Sequence, residues 1–73
     1  MKIYGYSKTN DEDLQELNEI TLQGSYNELI EVAEFILKYA KVMKENADKF
    51  EHAHIKDEST GWKEGNPDII IHK

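Results

Sequence analysis

Residues 25–50 read SYNELIEVAEFILKYAKVMKENADKF, the one long run of this 73-residue chain with a clean helical period. Leu29, Ala33, Ile36, Ala40, Met43 and Ala47 follow one another at steps of four and three, which stacks them on one face of a 3.6-residue helix. Tyr26, Ile30, Val32, Leu37, Tyr39 and Phe50 widen that stripe on both sides. So broad an apolar face needs a partner layer, which the rest of the chain must supply. Gly24 breaks the preceding segment, and Ser25 with Glu28 forms an S-x-x-E capping box that marks the helix start. Glu28, Glu31 and Glu34 fill the first half of the run, while Lys38, Lys41, Lys44 and Lys49 fill the second, an order that suits the helix dipole. At 1.5 Å per residue the whole run would extend about 39 Å, whereas strands of five to seven residues span about 17–24 Å. Either the helix ends early, near Glu45 or Asn46, or its last turns overhang with Val42, Met43, Ala47 and Phe50 exposed.

On either side the pattern changes to strand and turn. Residues 1–7 (MKIYGYS) alternate β-branched and aromatic side chains and read as a first strand, with either Ile3 and Gly5 or Tyr4 and Tyr6 facing inward. Residues 8–17 are polar and acidic, with a turn signal at TND and with Leu14 and Leu17 placed to anchor one helical turn. Residues 19–23 alternate, Ile20 and Leu22 against Glu19, Thr21 and Gln23, as a half-buried second strand does. Beyond the helix, residues 51–57 (EHAHIKD) place Ala53 and Ile55 on one face and His52, His54 and Lys56 on the other. Residues 58–67 (ESTGWKEGNP) form a connecting loop, and residues 68–72 (DIIIH) a fourth strand whose aliphatic run suits an interior position. The expectation is a single α+β domain over residues 1–73 with ββαββ order: one long helix on one face of a four-stranded, mainly antiparallel sheet. Spatial orders 1-2-4-3 and 2-1-4-3 both satisfy it.

The totals limit function more than they define it. Cysteine is absent, which removes disulfides, thiolate nucleophiles and sulfur-ligated zinc together and favours a reducing cytoplasm. No apolar run approaches the roughly 20 residues of a membrane span, so no membrane partner is expected. A net charge of -6 argues against nucleic acid, whose phosphates require a basic footprint. Between Thr9 and Leu37 stand eight acids and no Lys or Arg, whereas the remaining residues carry seven acids against nine lysines. One region of the surface should therefore be strongly negative and should attract a basic protein by a fast, salt-sensitive encounter.

Three constellations could carry chemistry. His52 and His54 on one strand face, with His72 on a neighbouring strand, would make a three-histidine metal site with an open position for water. The plainer reading leaves those histidines on the solvent face of a sheet, with no metal and no cofactor. Ser7, Ser25 and Ser59 occupy turn or cap positions and no G-x-S-x-G or Gly-rich phosphate loop is present, so the chain is not expected to be an enzyme. Trp62, between Gly61 and Lys63, is either a lid folded onto the core or an exposed anchor of the kind enriched at interface hot spots. With Tyr4 and Tyr6 outward beside the histidines, an uncovered sheet face would suit a protein partner or a homodimer.

A resemblance extends this reading. The succession of EITLQGS, the helix SYNELIEVAEFI, the strand HAHI, a loop tryptophan and a terminal PDIII strand resembles a family of small bacterial immunity proteins of polymorphic or contact-delivered toxin systems. The match covers residues 19–71 and leaves the first strand and its acidic loop outside. The resemblance implies a non-enzymatic protein that sits on a cognate toxin and blocks its active site or access to it. The positions that carry over are His52, His54, Trp62 and Asp68. Asp11, Glu12, Asp13 and Glu16, outside the match, join them as partner-binding residues on the charge argument alone.

Overall fold

Helix α1 spans Tyr26–Glu45 in the computed structural model, which describes residues 1–58 and 61–73. Its capping box is complete: the Glu28 amide donates to Ser25 Oγ at 3.1 Å and the Ser25 amide donates to Glu28 Oε1 at 2.9 Å. Asn46 ends the helix, its amide donating to the Val42 carbonyl at 2.8 Å, so the early ending is the one adopted. The Lys49 and Phe50 amides then both donate to the Asn46 carbonyl, a tight turn that folds Phe50 back beneath Tyr39 with ring centroids 5.6 Å apart.

The remaining elements are short. β1 (Ile3–Gly5) pairs with β2 (Gln15–Leu17), and β3 (His52–His54) runs into the single turn α2 (Ile55–Glu58) and pairs with β4 (Ile70–His72), both pairs antiparallel. The fold is α+β with one long helix, but the strands make two separate two-stranded sheets where a four-stranded one was expected. Of the expected adjacencies the third strand beside the fourth forms, whereas the first strand pairs with residues 15–17 instead of with the expected second strand. The join between the two pairs is absent among the described residues. Its absence follows from where β2 lies. Residues 15–17 pair with β1, so the helical turn expected of Leu14 and Leu17 gives way to strand, and residues 19–23 carry no strand of their own. Ile20 and Leu22, the expected inward side of that strand, are exposed. β4 is consequently an edge rather than an interior strand, with Ile69 and Ile71 on the core and Ile70 exposed.

The core sits between α1 and the β3–β4 sheet. Val32, Phe35 and Ile55 are buried, and Tyr39, Ala53, Trp62, Ile69 and Ile71 pack around them. This is a different helix face from the one that the four-and-three spacing singled out. Phe35 and Ile36 are neighbours in the chain but stand about 100° apart around the helix axis, and it is Phe35 that enters the core while Ile36 is 42% exposed. Ala33 and Ala40 are exposed and Met43 is half-buried. Of the expected third strand, residues 51–57, only His52–His54 forms strand, because Ile55 opens α2; Ile55 is nevertheless buried and Ala53 half-buried on the core, and the parity of the first strand is resolved, with Ile3 and Gly5 half-buried while Tyr4 and Tyr6 are exposed. Ser59, expected in a turn, lies outside the described residues. A radius of gyration of 13.0 Å exceeds the roughly 11 Å usual for a chain of this length.

Candidate functional site

The N-terminal hairpin presents the acidic residues. Its register sets Tyr4 opposite Glu16, on the exposed face, and Gly5 opposite Gln15. A side chain at Gly5 would meet Leu17 Cδ1 at 3.2 Å, so glycine leaves room for Leu17 to lie across the strand. The loop between the strands is knit by its own short polar side chains. Ser7 Oγ accepts from the amides of Thr9 and Asn10 at 3.1 and 3.0 Å. Asn10 Oδ1 accepts from the amides of Glu12 and Asp13 at 3.2 and 3.3 Å, and Asn10 Nδ2 donates to Asp13 Oδ2 at 3.0 Å. Ser and Asn serve here for the reason they recur in turns: their side chains satisfy amides two or three residues on. The consequence is that Asp11, Glu12 and Asp13 are held together, exposed, at the tip of the hairpin. Tyr4, Tyr6 and Leu14 are exposed on the hairpin, where Tyr4 shares its face with Glu16, while Leu17 lies on the other face with Ile3, and Ile20 and Leu22 are exposed in the segment that follows.

The second group of expected residues gathers on the other sheet. β3 and β4 pair His52 directly with His72, whose rings stack nearly parallel at 6.1 Å, and the His54 ring meets that of His52 edge-on at 5.3 Å. His54 Nδ1 lies 2.5 Å from Asp68 Oδ2, which Lys56 Nζ also approaches at 3.9 Å. Strand pairing thus brings all three histidines together, the register supplying His72 beside the pair that the spacing alone placed on one strand. Among the described residues, however, no group of three His, Cys, Asp or Glu side chains is arranged to hold a metal ion. Trp62 takes the lid position: its ring packs on the core and Nε1 donates to the Pro67 carbonyl at 3.1 Å.

Two polar clusters had no sequence signal beyond their local motifs. Glu28, besides capping α1, accepts from Asn66 Nδ2 at 3.0 Å, which ties the helix N-terminus to the loop before β4. The Ser25 amide, with Asn66 and the Ser25 hydroxyl, holds the Glu28 carboxyl below the usual glutamate range. Glu58, at the end of α2, accepts from the Tyr39 hydroxyl and from Lys38 Nζ, the latter at 2.9 Å. Those bonds lower the Glu58 carboxyl and raise both Tyr39 and Lys38. Contacts nineteen and twenty residues apart in sequence create this cluster, and such pairs are invisible to local patterns. The depression beside it, lined by Tyr39, Phe50, His52, His54 and Glu58, opens widely to solvent, unlike the enclosed clefts in which small ligands are held.

Compared with family models, with curated proteins and with solved structures, the chain matches none. The resemblance to immunity proteins therefore rests on the motifs in which it was seen.

Proposed function

We propose that this chain is a non-enzymatic binding protein whose acidic N-terminal hairpin docks on a basic protein. The observation that carries the reading is the composition of that hairpin's surface. Asp11, Glu12, Asp13 and Glu16 are all exposed beside exposed Tyr4, Tyr6 and Leu14, which is an aromatic and aliphatic patch with a charged rim. Interfaces are built that way: tyrosine supplies large contact area at low entropic cost, and charges around it steer the encounter and reject wrong partners. In the immunity reading the partner is a bacterial toxin met in the cytoplasm. A hairpin laid over its basic, substrate-binding surface would neutralise it by occlusion. His52, His54, Trp62 and Asp68, the positions carried over from the resemblance, act in this scheme chiefly by holding the β3–β4 layer together. The His54–Asp68 pair and the Trp62–Pro67 hydrogen bond support that role.

Co-expression with the product of the gene immediately upstream tests the proposal. If that product arrests growth, the wild-type chain should relieve the arrest. A variant with Asp11→Asn, Glu12→Gln, Asp13→Asn and Glu16→Gln should not. Relief by both alike removes the acidic hairpin from the interface, and a harmless neighbour removes the toxin as partner.

A further inference from the structure

His54 is a half-buried imidazole oriented by a fixed carboxylate. Its Nδ1 lies 2.5 Å from Asp68 Oδ2, and Asp68 is itself held in place: Oδ1 accepts from the Lys56 amide at 3.4 Å and Oδ2 stands 3.9 Å from Lys56 Nζ. An ionised carboxylate can only accept, so Nδ1 of His54 carries the proton and Nε2 keeps its lone pair. A histidine pinned by a carboxylate at one nitrogen and open at the other is the arrangement in which imidazoles bind metal ions. The second imidazole is at hand. Two rings that share one tetrahedral zinc, with Zn–N bonds of about 2.0–2.1 Å, stand with their centres about 5 Å apart. His52 and His54 stand at 5.3 Å with nearly perpendicular planes. His52 is exposed, so its ring can turn about χ2 to meet an ion on His54 Nε2.

We propose that His52 and His54 together bind one divalent ion of the zinc class, Asp68 acting as the positioning residue for His54 and water filling the remaining coordination positions. Imidazole nitrogen suits zinc, nickel and copper rather than calcium or magnesium. The charge around the pair favours a cation: the depression that both histidines line carries Glu51, Asp57 and Glu58 against Lys49 alone. Its wide opening to solvent leaves room for the bound water. His72 is not a ligand. The hydrogen bonds from the Lys73 amide to the Glu51 carbonyl and from the Ile55 amide to the Ile69 carbonyl fall on alternate residue pairs. His52 and His72 are therefore a non-hydrogen-bonded pair, whose side chains stand closest. Their rings stack within 11° of parallel, and stacked rings turn faces, not in-plane lone pairs, toward each other. Two protein ligands rather than three agrees with the lack of any three-residue metal group among the described residues.

Calorimetric titration of zinc chloride into the full, untagged chain at neutral pH tests the assignment. The wild type should take up one ion per chain. His52→Gln, at an exposed position outside the core, should keep the circular dichroism of the wild type and lose the uptake. Asp68→Asn should weaken binding about tenfold to a hundredfold and still take up one ion. Long-range proton–nitrogen NMR spectra of the metal-free wild type should show His54 with its proton on Nδ1, and in Asp68→Asn the two tautomers should mix. His72→Gln should retain the one-to-one uptake. Absence of stoichiometric uptake, uptake that survives His52→Gln, unchanged affinity in Asp68→Asn, or loss of uptake in His72→Gln would each overturn the proposal.

Discussion

Ile55 and Ile70 carry the same side chain in opposite surroundings, and truncating each in turn measures how much of the protein's stability lies between α1 and the β3–β4 sheet. Ile55 is fully buried against Val32 and Phe35, at 0% exposure, whereas Ile70 is 51% exposed on an edge strand. A chain of this length is stable by about 4–11 kcal/mol at the usual 0.05–0.15 kcal/mol per residue. Removing a fully buried isoleucine costs about 2–5 kcal/mol, the larger values arising where the surroundings cannot close on the cavity. The core here is only a few side chains thick, so partial collapse places Ile55→Ala near the middle, about 3 kcal/mol. Ile70→Ala loses only part of the transfer free energy and opens no cavity, so about 0.5–1 kcal/mol is expected. Urea unfolding followed by circular dichroism reads both, and Ile55→Val, at about 1 kcal/mol, supplies a calibration should the alanine variant be largely unfolded in water. Equal losses at the two positions would mean that β4 is covered on both faces, as in the interior of a larger sheet, and would refute the two-sheet arrangement.

Ser25→Ala should lower stability by about 1 kcal/mol through loss of the cap, read in the same urea titration. Because hydrogen bonds hold the Glu28 and Glu58 carboxyls low in the folded protein, the unfolded chain binds protons first as pH falls. Stability contributed by these groups is therefore complete above the ordinary glutamate pKa of about 4.3 and disappears as pH drops through their lower folded values. Thermal melts between neutral and strongly acidic pH should show that fall, and it should be shallower in Glu28→Gln. Trp62, the single tryptophan, packs on the core, so its fluorescence should lie to the blue of free tryptophan and shift red on unfolding; emission already at the free value would contradict the lid.

The parts of the fold that could be read from sequence are those decided by neighbours in the chain. Ser25 and Glu28 announced the helix start because a capping box is a local device, and the helix ended at Asn46, where length matching allowed it to. Alternation over residues 52–54 placed Ala53 on the core, since a strand reverses its side chains at each residue, whereas Ile55 reaches the core from the first position of α2, where the expected strand gives way to helix. The helix face was another matter. α1 carries two apolar stripes, one through Leu29, Ile36 and Met43 and one through Val32, Phe35 and Tyr39, and periodicity marks both as candidates for burial. Only the position of Ile55, Ile69 and Ile71 selects the second, and that is a tertiary fact. The same limit applies to β2. Residues 19–23 alternate as a strand should, yet residues 15–17 pair with β1, because a hairpin closes wherever loop hydrogen bonds such as those of Ser7 and Asn10 set its register. Charge counting located the acidic segment without any structure, and the apolar residues interleaved with it became significant only once they proved exposed.

The proposed docking role of the acidic hairpin is tested most directly by titrating the chain into the product of the gene immediately upstream by calorimetry, over a range of salt concentrations. The comparison is with the variant carrying Asp11→Asn, Glu12→Gln, Asp13→Asn and Glu16→Gln. Binding by the wild type should weaken steeply as salt is added, and the variant should bind less tightly at low salt with a shallower salt slope. The same affinity and the same slope in both proteins would contradict the assignment of that hairpin as the docking surface.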